Sequence, residues 1–158
     1  MLLETFLLNI LKANPVINIV GGSPLVKWVP SSRLSLPPYA ISINGILTGA
    51  YAAAINASKS DLRRVAGWDH VISPLTDHGF PANVVTPGSR YPMPGDFPSG
   101  VQPTTTFRLL LICDFLKLPT NLYGVCGWAS KWHDGDWEMH FIKRYMKTVT
   151  VHDPRPKW

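Results

Sequence analysis

The densest group of reactive side chains in the sequence is Trp132-His133-Asp134-Gly135-Asp136-Trp137-Glu138-Met139-His140. A histidine beside carboxylates suits general-base work, because nearby negative charge stabilises the imidazolium it becomes. His133, Asp134, Asp136, Glu138 and His140 are also acceptable metal ligands, although their spacing follows neither HExxH nor an EF-hand loop. A third reading is a solvated helix start, where acidic residues complement the helix dipole.

Two other stretches have the chemistry of anion holders. Gly21-Gly22-Ser23-Pro24 follows a β-branched run, and glycines let backbone N–H groups approach a phosphate closely. It matches neither GxGxxG nor a Walker loop, and a plain tight turn explains it equally well. Pro103-Thr104-Thr105-Thr106 opens an apolar helix, so hydroxyls and first-turn amides together make a cradle for phosphate or carboxylate. An ordinary N-cap with Thr104 or Thr105 in that role is the plainer alternative.

These residues need a scaffold, and the hydrophobic pattern supplies one. Residues 1–12 read as an amphipathic helix and 16–20 as a buried strand running into the glycine turn. Tyr39 to Gly45 is a second strand ending in Asn44-Gly45, residues 47–57 form a helix of small side chains, and 69–75 a third strand. Seven prolines then fall from Pro74 to Pro103, which marks a long loop that suits a lid or acceptor-binding loop or, equally, a poorly ordered excursion. Beyond it come a helix over 106–117, a strand over 122–125, a helix over 136–146 with basic residues at its end, and a last strand over 148–151. This order gives one α/β domain over 1–158, Rossmann-like, with a mostly parallel sheet flanked by helices and the 73–103 Pro-rich loop. All three reactive stretches then fall at strand ends or helix starts, where open α/β sheets hold ligands.

Composition narrows the function classes. Apolar residues make up 46% and charged residues 16% of the 158, which fits a packed domain rather than a disordered chain. The net charge of +5 favours acidic partners, but the basic residues form no stripe interleaved with aromatics, so nucleic acid is not expected. Cys113 and Cys126 follow apolar runs without metal-type spacing and read as reduced, buried thiols. The first twelve residues lack a basic leader and a cleavage site and are too short to span a bilayer. A cytoplasmic protein is the expectation, with peripheral membrane contact as the minor alternative.

Order and relative spacing of the three stretches resemble the motifs of the sialyltransferase family. Ile19-Val20-Gly21-Gly22-Ser23-Pro24 with Ile41-Ser42-Ile43-Asn44 looks like the large motif. Pro103-Thr104-Thr105-Thr106 through Leu122-Tyr123-Gly124 looks like the small one, and His133 to Glu138 fits the closing His-x4-Glu. The resemblance implies an inverting transfer of sialic acid or a related acidic sugar from a CMP-activated donor to a glycan hydroxyl. His133 would be the general base, with Glu138 supporting the helix start beside it. Gly21, Gly22, Ser23, Asn44, Thr104, Thr105, Thr106, Tyr123 and Gly124 would bind the donor, with no metal and no cofactor beyond the nucleotide sugar. The alternative is a catalytically inactive nucleotide- or glycan-binding module of the same fold, favoured by Gly22 and Thr106 standing where the family usually has Asn and Gly.

Overall fold

The computed structural model describes residues 1–21, 39–45, 50–55, 65–73, 84–85, 91–123 and 131–152. Their strands form one seven-stranded sheet in the order β5-β4-β3-β2-β1-β6-β7. These are β1 (Ile17–Val20), β2 (Ile41–Ile43), β3 (Ala52–Ala54), β4 (Val71–Ser73), β5 (Val84–Val85), β6 (Thr120–Tyr123) and β7 (Val149–His152). Every neighbouring pair is parallel, so the fold is a Rossmann-like α/β sheet. Three helices are described: α1 (Leu3–Ala13), α2 (Thr105–Phe115) and α3 (Gly135–Tyr145).

Alternation along the strands sorts the core. Ile17 and Ile19, Ile41 and Ile43, Ala52 and Ala54, Ile72, Val84 and Leu122 share one cluster with Leu3, Phe6, Leu7 and Ile10 of α1. Phe107, Leu109, Leu110 and Ile112 of α2 and Met139 and Ile142 of α3 join the same cluster, so all three helices cover one face of the sheet. Ala53 and Val71 point to the other face and meet Ile55, Val65 and Trp68.

Two strands depart from the sequence expectation. Residues 47–57 read as a helix, yet Ala52–Ala54 are a wholly buried strand. Alanine's helix preference is worth only tenths of a kcal/mol per residue over most others, and pairing on both sides overrides it. Small side chains suit the position, since α2 packs against β3. The Pro-rich stretch contributes β5, and its described end also packs inward: Tyr91 is buried, its hydroxyl donates to the Glu4 carboxylate at 2.6 Å, and Phe97 lies against Phe107 and Trp137. The rest of 74–90, apart from Val84 and Val85, lies outside the described residues.

α2 ends in a Schellman motif. The Leu118 N–H reaches the Cys113 carbonyl at 2.9 Å and the Lys117 N–H reaches Asp114 at 3.0 Å. This turn forces Lys117 to φ 56°, left-handed backbone that a lysine adopts at a cost. Lys117→Gly should therefore raise unfolding stability by about 0.5–1 kcal/mol, read as a higher urea midpoint at unchanged slope.

Candidate functional site

Each of α2 and α3 precedes a parallel strand, so each runs against the strand direction and starts at the carboxyl edge of the sheet. The strand order reverses at that edge between β1 and β6, since the chain steps outward from β1 to β5 and then returns to β1's other side. That reversal opens a crevice between the two strand ends. Gly21 stands in it: its N–H donates to the Tyr123 carbonyl at 2.9 Å, joining the first residue past β1 to the last residue of β6. Asn44 follows β2 at the same edge. Its φ of 54° is a left-handed value that asparagine tolerates, and its side-chain Oδ1 is buried without a hydrogen-bond partner among the described residues. Gly22, Ser23 and Gly124 lie outside the described residues.

The starts of α2 and α3 are tied together by one carboxyl group. The Thr104 hydroxyl oxygen caps α2 by accepting from the Phe107 N–H at 3.0 Å. The same hydroxyl donates to Glu138 Oε1 at 2.6 Å, and the Thr104 N–H donates to Glu138 Oε2 at 2.9 Å. In a capping box the carboxylate comes from three residues further along the same helix. Here that position is Phe107, and α3 supplies the carboxylate across the interface instead. Asp134 caps α3 in turn, accepting from the Trp137 N–H at 3.0 Å.

Glu138 is fully buried. Burial is the largest influence on its carboxyl and pushes it up to about 7, against the opposing pull of the two Thr104 bonds and the Arg108 guanidinium. Because the charge on Glu138 is weakened near neutral pH, it cancels less of the positive end of α2. The first turn of α2 carries no acidic residue of its own. Thr105 and Thr106 are buried, and no described residue accepts from their N–H groups.

A second tie aims the histidine. The Gln102 N–H donates to the Trp132 carbonyl at 2.7 Å, and His133 Nδ1 lies 2.6 Å from the Gln102 carbonyl. A carbonyl only accepts, so Nδ1 carries the hydrogen and the neutral ring keeps its lone pair on Nε2. An imidazole oriented through one nitrogen with the other left basic is the arrangement a general base requires. Gln102 and Arg108 had no sequence signal, since backbone carbonyls and helix faces carry none.

The five potential metal ligands do not converge: Asp134 caps α3, Glu138 turns into the interface with α2, and Asp136 and His140 are exposed. Among the described residues no three His, Cys, Asp or Glu side chains gather as a metal site. Cys113 is buried, and burial pushes its thiol up to about 12, so it is inert, whereas Cys126 lies outside the described residues. No described helix is long and apolar enough to cross a membrane.

Fold and site together define an open parallel α/β sheet with a crevice at its switch point and two helix starts beside it. Comparison with protein-family models, curated proteins and solved structures finds no significant match.

Cutting the tie should separate the helix starts. Thr104→Ala and Glu138→Ala should each lose about 1–3 kcal/mol in denaturant unfolding, since each leaves polar groups without partners. The pH dependence has a definite sign. The folded protein holds the Glu138 proton more tightly than the unfolded chain does, so this stabilisation is complete below 4.5 and disappears as pH rises through about 7. Wild-type stability should fall over that window relative to Glu138→Gln, which cannot titrate. Parallel curves for the two proteins would contradict the assignment.

Proposed function

We propose that the protein is a metal-independent glycosyltransferase of sialyltransferase type, transferring sialic acid or a related acidic sugar from a CMP donor to a glycan hydroxyl. The observation that carries this reading is the Glu138–Thr104 tie, which holds the start of α2 beside the oriented imidazole of His133 at the switch-point edge.

In this reading Gly21, Asn44 and Tyr123 line the nucleotide side of the crevice. Asn44 Oδ1, without a partner among the described residues, suits a hydroxyl or amino donor from the nucleoside. The first-turn amides of Thr105 and Thr106, at the positive end of α2, take the phosphate. His133 Nε2 removes the acceptor hydroxyl proton as that oxygen bonds to the anomeric carbon from the face opposite the phosphate. The anomeric carbon–oxygen bond then breaks, and CMP leaves with the bonding pair, its new charge spread over phosphate oxygens facing the α2 amides. Configuration inverts because attack and departure are on opposite faces. Glu138 touches neither sugar nor nucleotide and acts as a positioning residue. The net charge of +5 favours capture of such an anionic donor.

The test is a paired measurement of CMP affinity by calorimetry and of transfer from CMP-sialic acid to a mixed glycan acceptor. Wild type should bind and transfer. His133→Ala should lose transfer by roughly a hundredfold or more with CMP affinity almost unchanged. Full turnover in that variant overturns the base assignment. Wild-type binding with no transfer from any CMP-sugar would mark a non-catalytic module instead.

A further inference from the structure

The face of the sheet away from α1, α2 and α3 carries an unusual row of polar side chains. Buried parallel strands are ordinarily apolar on both faces. Yet Asn18 of β1 is only 7% exposed, Asn121 stands opposite it in the register of β6, and His152 closes β7. The three form one chain of hydrogen bonds. Asn18 Nδ2 donates to the Tyr39 carbonyl at 3.2 Å, Asn121 Nδ2 donates to Asn18 Oδ1 at 3.2 Å, and His152 Nε2 lies 3.0 Å from Asn121 Oδ1.

The direction of this chain is fixed at one end. The Tyr39 carbonyl can only accept, so Asn18 must turn its amino group towards it and its oxygen towards β6. Asn121 must then donate with its amino group and turn its oxygen towards β7. His152 Nε2 therefore carries a hydrogen in every charge state. That bond sets the plane of the imidazole, and the ring lies against Tyr123 with centroids 4.6 Å apart and planes within 9°. Tyr123 and His152 are register partners at the ends of their strands. The Tyr123 carbonyl is the acceptor for Gly21, so the stacked pair stands at the switch point itself.

We infer that His152 is a positioning residue of the nucleotide crevice: bonded to the Asn18–Asn121 row and stacked on Tyr123, it holds that ring as a fixed wall for a planar nucleobase. The inference rests on the nucleotide-binding part of the proposed function and adds a residue that the sequence motifs do not include. Tyr123 makes the contact, and His152 acts through it.

The experiment measures binding of CMP, UMP, GMP and AMP to wild type, Tyr123→Ala, His152→Ala, the double variant and His152→Phe, with unliganded melting recorded for each. His152→Ala should weaken nucleotide affinity roughly tenfold, about the worth of one misplaced aromatic contact. His152→Phe keeps a flat ring against Tyr123 and should restore most of that loss. The double variant should bind no worse than Tyr123→Ala, because two residues acting through one contact are not additive. If His152→Ala does not fold, His152→Leu takes its place, filling the volume without a planar ring.

Unchanged affinity in the His152 variants, or losses that add in the double variant, overturns the inference while leaving CMP binding intact. Selective binding of a different nucleotide with the same pattern of variants keeps the inference and defeats the CMP donor. A wild type that binds none of the four defeats both.

Discussion

Two helices that begin at the same sheet edge repel one another's positive ends, and each brings amides that need acceptors. Asp134 caps α3, and the Glu138 carboxyl ties the start of α2 to it. That carboxyl accepts the N–H and O–H of Thr104 while the Thr104 oxygen satisfies Phe107, so α2 is capped and anchored to α3 through a single residue pair. His133 lies five residues before Glu138, and Gln102 two residues before Thr104. Fixing one pair of positions therefore brings the other within reach, and the 2.6 Å contact between His133 and the Gln102 carbonyl follows. Beside the tie, Phe97, Phe107, Trp137 and Phe141 pack mostly edge-to-face, with Trp137 and Phe141 stacked, at centroid distances of 5.1 to 6.1 Å. The support of the site is thus continuous with the core, since Phe107 belongs to it and the other three rings pack against it.

The sheet contributes direction. Seven parallel strands send every strand end to one edge, and the crossovers through α2 and α3 begin there. Placement of Gly21, Asn44, Thr104, Tyr123 and His133 along that edge is thus a result of topology before it is a result of any side chain. The two ends of the sheet differ in character. Tyr39, Tyr51 and His70 precede β2, β3 and β4; Tyr51 and His70 lie against Phe6 and Tyr39 against Tyr51, giving the amino edge an aromatic cluster with centroids 4.8 to 6.1 Å apart.

Much of this was legible in the sequence because its signals are local. Amphipathic patterns located α1 and α3, and an apolar run behind a threonine cap located α2, each to within a few residues; β1, β2, β4, β6 and β7 followed from β-branched runs and glycine or proline stops. The alanines of β3 were misread because a strand buried on both faces has no period, and alanine's own preference points to helix. Val84-Val85 gave too short a run to stand out among prolines. At the site, Thr104 as a cap and His133 as a helix-start histidine were visible in their spacing. The Glu138–Thr104 partnership joins residues 34 apart, and only the fold creates it. His152 was equally hidden: the β-branched run read as the last strand stops at residue 151, and nothing in it tells that β6 lies beside it with Tyr123 in register with His152.

The central claim is that one cleft at the carboxyl edge receives a nucleotide. Amide hydrogen exchange with and without saturating CMP tests it most directly, because bound ligand slows exchange where it covers or orders backbone N–H groups. Exchange should slow at Gly21, Thr105 and Thr106 and along the start of α3, with Tyr51 and Val71 at the opposite edge unchanged. Protection confined to that opposite edge, with Gly21 and Thr105 exchanging as before, would contradict it.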